Sequence, residues 1–154
     1  MKILIVYDSK FGNTAKVAQK IATTFSKPNQ ITVVQVDKFK PSQLQSAKLL
    51  IVGSPTHGGM PTQAIQSFLS SLSPDSLQNK RVAAFDTRIS VDDVGFALKF
   101  VIKLTGYAAP RILNSLKAKG GDPANQADGF YVVDKAGPLK KGELARVVSW
   151  TKKI

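Results

Sequence analysis

Short apolar segments alternate with longer amphipathic ones along the chain. Residues 3–7 form an apolar, β-branched run that ends in a polar loop, a pattern typical of a strand buried on both faces. Behind that loop, apolar residues recur at helical spacing until Pro28, which predicts a first amphipathic helix. The helix positions are Val17, Ala18, Ile21, Ala22 and Phe25.

The same alternation continues to the end of the chain. Residues 31–36, 49–53 and 82–85 predict three further strands, and residues 41–46 allow only a brief helix. A broken fifth strand is predicted from residues 111–116 and 130–133, with an exposed loop at 119–129. The remaining helices are predicted on Ile65, Phe68, Leu69 and Leu72, on Val94, Leu98, Val101 and Ile102 up to Gly106, and over residues 142–152 with Leu144, Val147, Val148 and Trp150 as core contacts.

Strands that alternate with helices predict an α/β fold: a doubly wound, five-stranded parallel sheet with helices on both faces, in one domain over residues 1–154. Parallel neighbours need crossover connections, and those connections are right-handed. Two doubly wound strand orders remain open at this point. In either order, ligands collect beyond the carboxyl ends of the strands, so the loops after strands one, three and four are the places for chemistry.

The composition of the chain excludes several kinds of functional site. The chain has no cysteine, which excludes disulfides, thiolate nucleophiles and cysteine-bound iron-sulfur clusters, so any redox chemistry comes from a bound cofactor. No apolar run is long enough for a signal sequence or a membrane span, and a cytoplasmic location is expected. The net charge of +12 favours a nucleic acid, an anionic membrane or an acidic protein as partner, but residues 1–77 hold 8 basic and 3 acidic side chains and residues 78–154 hold 14 and 7, so neither half is a basic tail.

The loop after the first strand has the features of a phosphate site. A helix begins inside it, so several backbone N–H groups are unpaired at the positive end of the helix dipole. Ser9, Asn13 and Thr14 add short side-chain donors, and Gly12 allows close approach of the backbone. The alternative is simple helix capping by Asn13 or Thr14.

The loop after the third strand, residues 53–61, is rich in Gly and Pro. With glycine at 58 and 59, two peptide orientations are accessible at little steric cost. Ordinary turn chemistry is the alternative interpretation. His57 is the chain's single histidine, so no histidine pair indicates a metal site.

Together these two loops resemble the flavodoxin family in order and spacing over essentially the whole chain. The resemblance implies a flavodoxin-like three-layer α/β/α fold and FMN as cofactor. The first loop looks like the family's FMN phosphate loop and the second like its flavin-ring loop, with His57 against the ring and Gly58 as the residue whose peptide turns over. The residues that the resemblance assigns to FMN in these loops are Ser9, Lys10, Phe11, Gly12, Asn13, Thr14, Ser54, Pro55, Thr56, His57, Gly58 and Gly59.

A third loop is predicted after the fourth strand, where the family closes over the other side of the flavin. Asp86, Thr87 and Arg88 are assigned to it, with backbone donors for the pyrimidine end of the ring. Arg88 either places a cation near that end or forms a surface pair with Asp86. The stacking tyrosine of the family has no counterpart here, and Phe96 on the following helix is expected in the core.

Three classes of function remain open. An electron carrier between a reductase and an acceptor ranks first; its partners are redox proteins with acidic docking faces. The alternatives are an FMN-dependent NAD(P)H:quinone or protoporphyrinogen oxidoreductase, and a flavodoxin-fold binding domain that has lost FMN. Charge alone supports nucleic-acid binding, and no recognised motif accompanies it.

Overall fold

The fold is a parallel sheet between two layers of helices. A computed structural model describes residues 1–25 and 28–154. Within those residues, the strands are β1 Lys2–Tyr7, β2 Gln30–Gln35, β3 Leu49–Pro55, β4 Arg81–Ile89, β5 Asp122–Pro123 and β6 Asp128–Val132. The α-helices are α1 Asn13–Thr24, α2 Pro41–Ser46, α3 Gln63–Ser71, α4 Phe96–Thr105, α5 Ala108–Ala118 and α6 Glu143–Thr151.

The strand order is β2-β1-β3-β4, and both β5 and β6 lie beside β4. All of these pairings are parallel. Val82 of β4 pairs with Pro123 of β5, and Phe85 of β4 pairs with Asp128 of β6. The two short strands therefore share one edge position, which confirms a doubly wound sheet with a broken fifth strand.

One half of that fifth strand was predicted in the wrong place. Residues 111–116 lie in α5, and the two-residue β5 falls within the predicted loop 119–129, whereas β6 contains residues 130–132 of the other predicted half. Ile112 and Leu116 stand four residues apart and are both fully buried, which is the period of a helix and not of a strand. Pro110 sits in the first turn of α5, where a helix tolerates proline.

The core consists of two clusters, one on each face of the sheet. Alternate residues of β1 divide between them, with Ile3 and Ile5 on one face and Leu4 and Val6 on the other. The first face is covered by α1 and α6, and the second by α2, α3 and α5. This arrangement is the predicted three-layer α/β/α architecture.

The strand β4 is longer than predicted. It continues through Asp86, Thr87 and Arg88, the residues that were expected to form a loop. Asp86 is fully buried and Thr87 nearly so. The strand extends because β3 on one side and β6 on the other pair with it as far as these polar residues.

The helix α4 belongs to neither helix layer. None of its residues is buried, and none belongs to either core cluster. The expectation that Phe96 is a core residue is wrong, because its side chain is 88% exposed. Leu144 of α6 was also expected in the core and is exposed.

Candidate functional site

A cavity of about 250 Å³ lies beyond the carboxyl ends of β1, β3 and β4. This is where ligands bind in open parallel sheets. Among the predicted site residues, all but Gly12, Ser54 and Asp86 line it. The lining residues are Ser9, Lys10, Phe11, Asn13, Thr14, Pro55, Thr56, His57, Gly58, Gly59, Thr87, Arg88, Ile89, Leu98, Val101, Ile102, Thr105, Gly106, Tyr107, Val132 and Lys135.

The β1–α1 loop presents unpaired amides to this cavity. Gly12 is the residue before α1 and has a left-handed backbone with φ of 86°. Ser9 Oγ accepts hydrogen bonds from the N–H groups of Gly12, at 3.1 Å, and Ala15, at 3.3 Å. The N–H groups of Asn13 and Thr14 lie in the first turn of α1, where no helical carbonyl precedes them. These two amides are suited to an anion.

Asn13 and Thr14 do not cap the helix, so the capping interpretation is wrong. The side-chain amide of Asn13 donates instead to the backbone carbonyl of Ala136, at 3.1 Å. The hydroxyl of Thr14 is buried and lies 2.8 Å from that of Thr87 on β4. Both side chains therefore hold the loop in place through these hydrogen bonds. The donors that remain free for a ligand are the backbone N–H groups of Asn13 and Thr14.

A second cation reaches this end of the cavity from the loop after β6. Lys135 lines the cavity together with Lys10. The loop is seated on α1 because Ala136 accepts from Asn13 and because Gly137 touches the same side chain. A Cβ at Gly137 would lie 2.4 Å from Asn13 Nδ2. No sequence pattern indicated that Lys135 belongs to this site, because only the tertiary fold brings residue 135 close to residue 13.

The loop after β3 is a tight two-residue turn. His57 and Met60 pair in antiparallel fashion through two backbone hydrogen bonds of 2.9 and 3.0 Å. Gly58 and Gly59 between them both have positive φ, 55° and 78°, as hairpin turns of this length require. A Cβ at Gly59 would lie 2.6 Å from Thr105 Cβ at the end of α4, whereas Gly58 has open space around it.

Ser54 supports this turn from behind. Its hydroxyl is buried, accepts a hydrogen bond from the N–H of Thr62 at 2.9 Å and donates to the carbonyl of Pro55. Thr56 Oγ1 accepts from the N–H of Ala108 at 3.0 Å, which ties the loop to the start of α5. Ser54 thus holds the turn in place without lining the cavity.

Asp86 and Arg88 form a buried ion pair at the end of β4. Arg88 Nε and Nη2 donate to the two carboxylate oxygens of Asp86 at 2.6 and 2.7 Å, and the guanidinium stacks on Tyr107 with its carbon 3.8 Å from the ring centre. Asp86 also accepts from the N–H of Ala109 in the first turn of α5, at 2.7 Å. The predicted pair therefore exists, but inside the protein and not at its surface.

Burial shifts the pKa values of Asp86 and Tyr107. Burial raises the pKa of the Asp86 carboxyl, and the hydrogen bonds and charge of Arg88 oppose that rise. The pKa of Tyr107 is raised as well, chiefly by burial, with Arg88 again opposing. Arg88 also lines the cavity, so its cation faces a ligand and a carboxylate at the same time.

The helix α4 forms a wall of the cavity that sequence reasoning did not assign to the site. Leu98, Val101 and Ile102 contribute apolar surface, and Thr105 packs against Gly59. The signal available in the sequence was a helix with apolar residues on all sides and without acidic ones. Tyr107, just after α4, was missed for the same reason as Lys135: its proximity to Arg88 is long-range.

These features fit FMN. Unpaired amides and two lysines suit a phosphate, and the apolar wall from α4 together with the glycine turn after β3 suits a flat aromatic ring. The volume is close to the lower end, about 300 Å³, of the range for small-molecule clefts. In residues 1–25 and 28–154, no group of acidic, histidine or cysteine side chains could hold a metal ion, and no helix has the length and apolarity to cross a membrane.

Known proteins agree with this picture. The flavodoxin family model matches residues 5–126. A flavodoxin from Clostridium saccharobutylicum is 31% identical over 93 residues, or 59% of this chain and 58% of that protein. A diflavin flavoprotein from Thermosynechococcus vestitus is 34% identical over 90 residues, or 54% of this chain and 15% of that protein. The match thus spans less than two thirds of either relative's length.

A solved structure shows the same fold over the full length of the chain. The crystal structure of oxidised flavodoxin 1 from Bacillus cereus has a TM-score of 0.76 at 19% identity, covering 99% of this chain and 96% of that one. Identity at that level supports the fold alone, whereas the family model covers most of the sequence. The chain belongs to the flavodoxin family, whose members bind FMN.

Proposed function

We propose that this protein binds FMN in the cavity and carries electrons between a reductase and an acceptor. The observation that supports this most strongly is the pairing, in one cavity, of the free amides of Asn13 and Thr14 with the apolar walls contributed by α4. Bound FMN supplies a ring that takes up and releases electrons. The protein's part is to hold the phosphate, orient the ring and expose it to a partner.

The phosphate is held by the β1–α1 loop in this proposal. The amides of Asn13 and Thr14 donate to it, and Lys10 and Lys135 attract it from either side of the loop. Ser9 takes a supporting role, because its hydroxyl already accepts from the N–H of Ala15. The bond between Asn13 and Ala136 keeps the two loops together.

The turn at residues 57–60 lies against the ring. His57 packs on one face, and the peptide between Gly58 and Gly59 offers its carbonyl or its N–H to the ring edge. The open space at Gly58 allows that peptide to change orientation, while the contact of Gly59 with Thr105 fixes one side of the turn. Thr87 and Arg88 face the pyrimidine end.

The partners of the carrier are proposed to be redox proteins with acidic docking faces, met in the cytoplasm. The net charge of +12 supports this, since charge complementarity raises association rates and selects partners. Lys10 and Lys135 bring part of that charge to the cavity itself.

A second candidate function is an FMN-dependent quinone oxidoreductase. The observation in its favour is that Leu98, Val101 and Ile102 extend the cavity with apolar surface from a helix outside both helix layers. Such a wall suits an apolar substrate as well as the cofactor ring.

Two measurements test these proposals. The first is calorimetric titration with FMN and riboflavin: FMN is expected to bind more tightly because the amides and lysines hold its phosphate, and equal affinities would contradict the phosphate assignment. The second is NADH or NADPH oxidation by the FMN-loaded protein. A carrier oxidises either nucleotide negligibly unless a reductase is added. Rapid oxidation with a quinone and no reductase would favour the enzyme.

A further inference from the structure

The helix α4 is apolar on two opposite sides, and only one of them faces the protein. Leu98, Val101 and Ile102 line the cavity. Phe96, Phe100 and Leu104, which we name the α4 stripe, are 88, 59 and 71% exposed. Because these three residues are spaced four apart, they lie along one line of the helix surface.

Single exposed apolar side chains need no explanation, but a contiguous apolar patch marks an interaction site. The α4 stripe is such a patch, with two aromatic rings and a leucine on a helix that contributes to neither core cluster. Such a patch is the kind of surface that an interaction covers. The charges around the α4 stripe distinguish the possible occupants.

Lysines outnumber carboxylates beside the α4 stripe, and Asp92 and Asp93 just before the helix are paired with Lys99 and Lys140. The helix has no acidic residue, and Lys99 and Lys103 lie on it next to the aromatic rings. Lys99 Nζ lies 3.5 Å from a carboxylate oxygen of Asp92, which is itself highly exposed. Within the described residues, Lys103 has no ion-pair partner. At the cavity mouth, Lys10 lies over the exposed ring of Phe11, its Nζ 5.6 Å from the ring centre.

Charge distinguishes the possible occupants. A second copy of the chain carries the same +12 and is repelled. An acidic redox partner is matched locally by Lys10 and Lys135 at the cavity, whereas 8 basic against 3 acidic side chains in residues 1–77, and 14 against 7 in residues 78–154, spread further positive charge over the whole molecule. A diffuse positive charge with a protruding apolar stripe matches a planar, negatively charged surface.

We propose that α4 is an interfacial helix that seats the protein on an anionic lipid membrane. The α4 stripe enters the boundary between headgroups and acyl chains, and Lys99 and Lys103 lie among the lipid phosphates. Basic helices with aromatic residues on an apolar face lie in the interface plane in this way. Because the opposite side of α4 lines the cavity, the seated protein holds the cavity mouth close to the membrane surface.

Vesicle sedimentation of the full-length, FMN-loaded protein tests this. Vesicles of phosphatidylcholine with phosphatidylglycerol are expected to bind the protein at low salt, and vesicles of phosphatidylcholine alone at least about tenfold more weakly. The double variant Phe96→Ser/Phe100→Ser is expected to lose about tenfold or more in vesicle affinity through lost apolar burial. Neither residue lines the cavity, so FMN affinity and far-ultraviolet circular dichroism should stay as in the parent.

A matched control replaces two exposed apolar residues away from the α4 stripe. Val133→Ser/Leu144→Ser removes side chains that are 56 and 44% exposed, and vesicle binding should be unchanged. Equal loss in both double variants would overturn the proposal, as would the absence of binding to anionic vesicles at low salt.

The lysines provide a second, independent test. Lys99→Gln/Lys103→Gln and Lys152→Gln/Lys153→Gln remove the same charge, but only the first pair lies beside the α4 stripe. A larger loss of vesicle binding in the first pair supports the proposal, and equal losses would assign binding to bulk charge and overturn it. Binding to immobilised polyglutamate that needs Phe96 and Phe100, without vesicle binding, would assign α4 to an acidic protein and likewise overturn it.

Discussion

Replacing Arg88 with methionine should destabilise the protein strongly, because it leaves Asp86 buried without its cation. Methionine retains an unbranched apolar stem in place of that of arginine and removes the guanidinium. Asp86 is fully buried, and the side chain of Arg88 is only 13% exposed. Two hydrogen bonds to the carboxylate disappear, while the one from the N–H of Ala109 remains.

The expected loss in the free energy of unfolding is about 3–5 kcal/mol, the usual effect of removing one partner from a buried ion pair. The lost contact between the guanidinium and the ring of Tyr107 adds about 0.5–2 kcal/mol. Asp86 offsets part of this by taking up a proton, which exchanges the cost of a buried charge for the cost of protonation.

The loss should increase with pH. Burial raises the pKa of the Asp86 carboxyl, and Arg88 restrains that rise, so the variant has the higher folded-state pKa. A carboxyl whose folded-state pKa exceeds its unfolded value, about 3.9, contributes stability that is complete below the unfolded value and is lost as pH rises through the folded one. Arg88→Met should therefore be closest to the parent in acid and furthest from it above the folded-state pKa of Asp86.

Urea unfolding at several pH values measures this, both without FMN and at one fixed FMN concentration, since ligand binding adds to apparent stability. The matched control is Asp86→Asn/Arg88→Met, in which no charge is buried. It should recover most of the loss and show little dependence on pH. A loss below about 1 kcal/mol, or one that is equal at all pH values, would refute a buried, charged Asp86.

Three further predictions concern the loops. Gly12→Val forces a β-branched residue to a φ of 86° and should weaken FMN binding more than tenfold in a fluorescence titration, whereas Gly95→Val, at an ordinary φ of −63°, should not. Lys135→Gln should lower affinity for FMN but not for riboflavin; equal effects would remove Lys135 from the phosphate. Gly129→Ala places a Cβ 1.9 Å from Arg88 Nε and should cost about 1–3 kcal/mol in thermal unfolding, and an unchanged melting temperature would contradict that contact.

Sequence patterns were sufficient for the parts of the fold that depend on local periodicity. The apolar runs of β1 and β3 and the helical spacing of α1, α3 and α6 led to the right elements. The two loops that contain Gly12 and Gly58 followed, because the carboxyl ends of parallel strands share one edge of the sheet. Both loops do meet at one cavity.

Patterns were insufficient where tertiary contacts decide. The predicted fourth strand ended at Phe85, yet β4 continues through Asp86 because Arg88 and Ala109 donate hydrogen bonds to that carboxylate inside the protein. Residues 111–116 carry two apolar positions four apart, and a strand was predicted there despite the helical period. The nearness of Lys135 to Asn13 depends on a fold-level contact across more than a hundred residues.

The ion pair also changes how the net charge acts on the cavity. Two opposite charges joined by hydrogen bonds of 2.6 and 2.7 Å nearly cancel at a distance, so Arg88 contributes little net attraction for an anion despite lining the cavity. Lys10 and Lys135 have no carboxylate partner within residues 1–25 and 28–154. These two lysines therefore supply the electrostatic attraction for an anion in the cavity. Different residues should therefore control stability and ligand affinity. Arg88→Met is expected to change mainly the free energy of unfolding, and Lys135→Gln mainly the affinity for FMN.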